Sequence, residues 1–262
     1  MAMDAATLAK HLETHLRVAT FPVGVRCLAP GEAIPAKARR PKKDLHAQIT
    51  ICQAIGLARR YGWTTALASE DLSCPIAQAV FGFEKRIPYY TEGSLAEGMY
   101  AACKEAGAAF EAALPKLGHH EISAVVAGPL ARVGFEPETV VVYGNSAQIL
   151  RLVNAALWEK GGAFKSECTG RGDCADIVIR TRQTQEPQLI LPCYGDRVFG
   201  LAADDEMAFT FPFSQAERFV NGLELTGKAG TRYPIPTFAL RAQATMPPTY
   251  VELQRRWKEG AE

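Results

Sequence analysis

The sequence has no C-x2-C pair anywhere, which removes the spacing that marks zinc ribbons and thioredoxin-like redox sites. The close cysteine spacing of ferredoxins is missing as well. No complete G-x-G-x-x-G element occurs, so a dinucleotide site has no support. No run approaches the roughly 18 apolar residues of a membrane-spanning helix, and the opening Met1–His11 lacks the apolar centre of a signal peptide. Charge of one sign is lacking too. The net charge of +1 and isoelectric point near 7.6 provide no global field for nucleic acid or an anionic membrane. These absences together point to a cytoplasmic protein. In that reducing setting seven cysteines read as buried hydrophobes, metal ligands or reactive thiols rather than disulfides.

What is present is ordinary for a globular chain. With 262 residues, 48% of them hydrophobic and 22% charged, one large α/β domain or two closely packed halves can bury a full core. Leu8, Leu12, Leu16 and Val18 mark an amphipathic helix over 4–18, and 21–28 reads as a strand. The loop from Pro30 ends in the basic run 37–43, whose default reading is a solvated loop. Apolar spacing predicts a helix over 45–61 closed by Gly62, then a short strand at 63–67. Pro75 suits the first turn of a helix over 76–81. Ser94 and Glu97 fit a capping box for a helix to Leu114, which would hold Cys103 in its packing.

Strands are expected at 122–127 and 139–143, the second leading through Gly144-Asn145-Ser146 into a helix over 147–160. Free N–H groups at that helix start would suit an anion. Further strands are expected at 163–167, 187–191 and 207–211. A helix is expected over 176–182, despite the β-prone Ile177-Val178-Ile179, and another after Ser214. A proline-rich tail over 234–262 ends in a short helix, 250–258.

Aligning Cys52–Cys74 with Leu152–Cys174 gives the same order twice: helix, glycine (Gly62, Gly162), short β-prone run, polar loop, cysteine. Only Leu57/Leu157, Gly62/Gly162 and Cys74/Cys174 are identical, so the echo rests on pattern order. It predicts two related α/β halves, about 15–120 and 121–230, packed about a pseudo-twofold axis. Coincidence between two ordinary segments is the alternative.

The thiols sort by setting. Cys74, Cys174 and Cys193 sit in turn-like loops near strand or helix ends, where ligands gather. Cys52 lies on an apolar helix face, as core or as an inner ligand. Cys168 is a reserve ligand, and Cys27 and Cys103 read as structural. Thiols at helix N-termini are expected to favour thiolate.

At Cys52-Gln53, Cys74-Pro75, Thr139–Tyr143 with Gln148, Cys174 and Pro192-Cys193-Tyr194-Gly195-Asp196-Arg197, the chain resembles the family called domain of unknown function 169. The resemblance runs from about residue 10 to 230. It implies a soluble prokaryotic setting and no particular reaction.

Three functions follow as expectations. The first is a metal protein ligated by Cys52, Cys74, Cys174 and Cys193, with Cys168 in reserve. Soft ligands without a neighbouring histidine favour a 4Fe-4S iron–sulfur cluster over zinc, with an electron-transfer or small-molecule redox role. Arg197 would bind an anionic substrate or steady the cluster's charge. The second is a metal-free thiol enzyme using Cys174 or Cys74 with His46, His119 or His120 as base. The third is a non-catalytic binder of a small acid. The expected partners are a small molecule or a redox protein, with no nucleic acid or membrane; a homo-oligomer is compatible.

Overall fold

The structure, a computed structural model, describes residues 3–235 and 245–260. The chain opens with α1 (Ala5–Leu16), β1 (Val23–Leu28), the one-turn α2 (Pro41–Asp44) and α3 (Ile51–Gly56), which continues as a π-helical stretch, Leu57–Tyr61. Next come β2 (Thr65–Leu67), α4 (Pro75–Val80), the one-turn α5 (Pro88–Thr91), α6 (Lys104–Ala113) and β3 (Ala124–Pro129). Then follow β4 (Thr139–Gly144), α7 (Ser146–Leu157), a second π-helical stretch (Ala175–Arg180) running into α8 (Thr181–Thr184), and β5 (Gln188–Ile190). The chain closes with α9 (Tyr194–Phe199), β6 (Met207–Pro212), α10 (Ala216–Lys228) and α11 (Pro248–Glu259). The expected α/β class holds.

The six strands form one sheet in the order β2-β3-β1-β4-β6-β5, with every neighbouring pair antiparallel. Side chains alternate across it. Val23, Val25, Cys27, Val141 and Tyr143 face one core, shared with α3, α4 and the π-helical stretch at Ala175. Val140, Val142, Phe209 and Phe211 face the other, covered by α1, α7 and α10. There Phe219 stacks on Phe211 with centroids 4.0 Å apart. Burying a Phe or Leu of this kind stabilises by roughly 1.5–3 kcal/mol, and the first core, which buries Phe81, Ile51 and Ile55 in the same way, also lies against the polar groups of the site.

Read inward from its two edges, the sheet repeats. One side runs β2-β3-β1 and the other β5-β6-β4. The registers repeat as well: Val23, first in β1, faces Pro129, last in β3, and Thr139, first in β4, faces Pro212, last in β6. The edge strands begin opposite Ala127 and Thr210, each two residues before the closing proline. The central β1/β4 contact is three pairs, Val23↔Val141, Gly24↔Val140 and Val25↔Thr139. Each closing proline leads into a 3-10 turn, Leu130–Arg132 or Phe213–Gln215. A π-helical stretch precedes each edge strand, and a six-residue helix follows it. This order matches Cys52 with Cys174 and Cys74 with Cys193. The hundred-residue offset of the sequence echo, which matched Cys74 with Cys174, is not the correspondence the strands give.

Several expected elements are shorter or differently bounded. His46 has a φ of 55°, and the chain turns there, so α3 starts only at Ile51. Thr50 caps it in a box with Gln53. Gly93 and Gly98, with φ of 85° and 75°, turn the chain through the segment expected to begin a helix at Ser94. That helix starts at Lys104, and Cys103 is exposed at its N-cap rather than packed. Residues 163–167 form no strand. The Ser166 hydroxyl, not the backbone, bonds Leu189 N–H and C=O of edge strand β5, at 2.9 and 2.8 Å. Ser214 lies in the 3-10 turn before α10 and makes no cap. The basic loop is tethered, with Arg40 bonded to Glu70 and to the buried Asp71, and Arg39 over the Trp63 ring. Part of the tail, 236–244, lies outside the described residues; its helix is α11.

Candidate functional site: a thiol and carboxylate cluster

The loop 168–174 is pinned at three points. Thr169 donates through N–H and hydroxyl to the fully buried Asp176, which also accepts from Arg180. Arg171 pairs with buried Glu111. Gly170 and Gly172 take φ of 69° and 66°, a conformation costly for other residues. That turn swings Asp173 inward, where its side chain is only 1% exposed.

Asp173 is the hub. Its Oδ1 accepts from the Cys193 thiol at 3.0 Å and lies 3.9 Å from the Cys52 sulfur. Its Oδ2 accepts the backbone N–H of Cys193 at 3.3 Å. Ligand atoms of Cys52, Asp173 and Cys174 all lie within 4.8 Å of one another, a spacing that can hold a metal ion. Cys74, at the N-cap of α4, is within electrostatic reach of Cys174 and, like Cys52, packs against the same core. Three cysteines dispersed over 142 positions of sequence thereby meet at one carboxylate, with Cys74 alongside Cys174. Cys174 is buried; Cys52, Cys74 and Cys193 are half-buried.

A polar chain continues behind the thiols. Tyr143, at the end of β4, donates to Asp196 at 2.6 Å. The Arg59 guanidinium stacks over the Tyr143 ring at 4.1 Å and is held by Glu206 at 2.8 and 3.0 Å and by the Leu201 carbonyl at 2.8 Å. Two close approaches make room. A Cβ on Gly56 would lie 2.7 Å from the Gly200 carbonyl, so α3 can touch the end of α9 only with glycine there. A Cβ on Gly200 would lie against the Asp196 carboxylate itself.

Every thiol with a clear shift moves up, against the expectation of helix-favoured thiolates. Cys52 is raised well above the ordinary thiol range by hydrogen bonding with Cys174, then by burial and the Asp173 charge. In Cys174 the bond with Cys52 pulls down, but burial and Asp173 win and push it up to about 11. Burial and Asp173 push Cys193 up to about 12. Asp196 is raised to about 8 by burial and the neighbouring Asp173 charge, and Asp173 itself is raised by burial. The helix-end effect, worth about 0.3–1 kcal/mol, loses to desolvation and a carboxylate in contact.

Of the residues expected from the sequence, Cys52, Cys174 and Cys193 meet Asp173 directly, and Cys74 flanks them. Cys168 is exposed and stands apart. Arg197 donates to the Ala203 carbonyl at 2.6 Å, which ties down the loop after α9. Cys27 is buried in β1, as expected. His46, His119 and His120 form no hydrogen bond with a thiol among the described residues; His119 bonds the Gly82 carbonyl. At the helix start before Ser146, the Asn145/Gln148 capping box takes up the Asn145 and Gln148 N–H groups. Asp173, Asp196, Tyr143 and Arg59 escaped the sequence reading. The one available signal was an acid beside each of two candidate cysteines, in Asp173-Cys174 and Cys193-x2-Asp196.

No helix among the described residues is long and apolar enough to cross a membrane. No solved structure matches the chain. An uncharacterized protein of Methanocaldococcus jannaschii is 34% identical over 113 residues, which cover 43% of this chain and 48% of the relative. The profile of the family DUF169, described as uncharacterised ArCR, matches residues 11–222, a span that contains Cys52, Cys74, Asp173, Cys174, Cys193 and the whole sheet. The gathered thiols and the repeated strand order therefore lie inside the matched region, and the chain belongs to the DUF169 family.

Proposed function

We propose that Cys52, Cys74, Cys174 and Cys193 ligate one metal centre, an iron–sulfur cluster in preference to zinc, and that the protein works in electron transfer or in redox chemistry on a small molecule. The observation that carries this reading is the meeting of Cys52, Cys174 and Cys193 on Asp173. Two related halves about a pseudo-twofold axis would explain it. In each half one cysteine starts the helical segment before the edge strand, and the other is the N-cap of the helix after it. The two halves would then supply equivalent pairs, Cys52 with Cys74 and Cys174 with Cys193. Thiolates with no histidine in the set favour iron–sulfur chemistry or zinc over harder ions.

The raised thiols weigh against a metal-free nucleophile, because attack requires thiolate near neutral pH. A bound cation reverses that balance by displacing the thiol protons.

The test is anaerobic purification followed by a visible spectrum and assays of iron, zinc and acid-labile sulfide per chain. The expected result is a coloured protein with near-stoichiometric iron and sulfide, lost in Cys193→Ser and in Cys74→Ser. A folded, colourless protein that takes up neither a reconstituted cluster nor zinc overturns the reading.

A further inference from the structure

The opposite face of the sheet carries a second set of metal-ligating side chains, in a region unrelated to the thiols. Helix α1 buries Leu8, Leu12 and Leu16 against the core shared with α10, which contributes Phe219, Val220 and Leu223. That packing aligns the rims of the two helices. On α1 the rim holds His11 and His15, four residues apart and so one above the other on the helix surface. Their rings stack with centroids 6.1 Å apart and planes within 9°. On α10 the residue after Leu223 is Glu224, whose Oε1 lies 3.2 Å from His11 Nδ1. One ligand atom from each of the three lies within 4.8 Å of the other two.

We infer that His11, His15 and Glu224 form a site for a divalent transition ion of the zinc class, completed by an oxyanion. Two imidazoles at i and i+4 plus one carboxylate is a donor set suited to such an ion. Neighbouring ligand atoms of a tetrahedral zinc site are separated by about 3.3 Å, as its bond lengths of about 2.0–2.1 Å require. The His11–Glu224 pair already has that separation at 3.2 Å.

Three protein ligands leave a position open, and its surroundings specify what fills it. His15 and Glu224 line a cleft of about 450 Å³ whose wall also includes Arg17, Lys228, Arg232 and Tyr233. None of those three cations forms an ion pair with a described residue. Without an anion, three positive side chains beside a divalent ion would weaken its binding. A phosphate or carboxylate in the cleft serves both, as ligand to the metal and counter-ion to the cations. Metal and anion therefore bind cooperatively.

Imidazole resonances of the full chain test this by NMR, as zinc is added to several equivalents with and without inorganic phosphate, and separately with acetate. His11 and His15 should shift together and saturate at one ion, with tighter binding when an anion is present. The arm that tightens more identifies a phosphate or a carboxylate source. His46, His119 and His120 should stay put. Glu224→Gln should weaken the response about 10-fold or more, and Lys228→Ala should remove most of the anion effect with the zinc response retained. Zinc that leaves His11 and His15 unmoved after other sites fill overturns the inference and leaves a His–Glu hydrogen bond only. Equal affinity with and without either anion overturns the cooperative part. The outcome is independent of the thiol centre: if that centre takes zinc, the histidines respond to a later equivalent, and if it does not, they respond to the first.

Discussion

Asp173 receives two hydrogen bonds from Cys193, one from the thiol at 3.0 Å and one from the backbone N–H at 3.3 Å, and both residues belong to loops that enter helical segments. This is the contact that ties the loop 168–174 to the turn that opens α9. Asp173→Ala leaves the half-buried Cys193 N–H and thiol without their acceptor and should cost about 1–3 kcal/mol of unfolding free energy. Asp173→Asn keeps an acceptor oxygen and should recover part of that loss. Urea unfolding of the metal-free protein at one pH distinguishes them.

Arg59 is fully buried, paired with Glu206 and stacked on Tyr143. Arg59→Ala removes the main partner of the Glu206 carboxylate, which among the described residues keeps only the Ala203 N–H and a longer approach from Arg60. The Glu206 pKa is held low chiefly by Arg59 against the opposing effect of burial. The expected loss is about 3–5 kcal/mol, the usual consequence of breaking a buried pair from one side. Arg59→Met with Glu206→Gln should lose less than Arg59→Ala alone, because no uncompensated charge remains. A chemical-denaturation cycle measures the difference.

Gly200→Ala places a methyl group against the Asp196 carboxylate. The backbone there has a φ of −86°, which alanine accepts, so the penalty is steric alone. Overpacking of this kind costs about 1–3 kcal/mol. It should also disturb the Tyr143–Asp196 bond, visible as a change in the near-ultraviolet tyrosine circular dichroism.

Stability of the metal-free protein should fall as pH rises from 5 to 8. Asp196 has an ordinary value of 3.8 when unfolded and about 8 when folded, so the native state holds a proton that the unfolded state has released. Its stabilising contribution is complete below pH 3.8, declines between the two values and levels off above about pH 8. Asp196→Asn should flatten this stretch of a urea-midpoint profile. Cys174 and Cys193, raised to about 11 and 12, add a further decline with the same sign above pH 9.

The secondary structure was legible wherever apolar period and local punctuation agreed: α1, β1, β4, α7 and β6 fall close to their expected places. It misled where a polar cap pattern stood in for packing. Ser94-x2-Glu97 looks like a helix start, but two glycines at positive φ turn that chain, and α6 begins ten residues later. Cys74, Cys174 and Cys193 were legible as candidates because loops near element ends carry ligands, and Cys52 as a thiol on an apolar helix face, either core or an inner ligand. Their order of correspondence was not, since it depends on strand register, which leaves no identity behind in a sheet paired over long sequence distances. Asp173 and Asp196 were invisible as hubs because an acid beside a glycine reads as a surface turn until Gly172 is seen swinging it inward. His11 and His15 carried an i, i+4 signal, but the carboxylate that completes the set lies on α10 and is brought over only by the packing of α1 and α10 in one core.

The sheet's midline has a mechanical consequence. Between β1 and β4 only three residue pairs join the two groups of three strands, whereas six pairs join β1 to β3 and β4 to β6. The thiols stand on both sides of this narrow join, Cys52 and Cys74 from one group and Cys174 and Cys193 from the other. Whatever grips sulfurs from both groups is a clasp across this narrow join. Releasing it should loosen this join, so the β1/β4 amides would gain more exchange with solvent than those of β1/β3 and β4/β6.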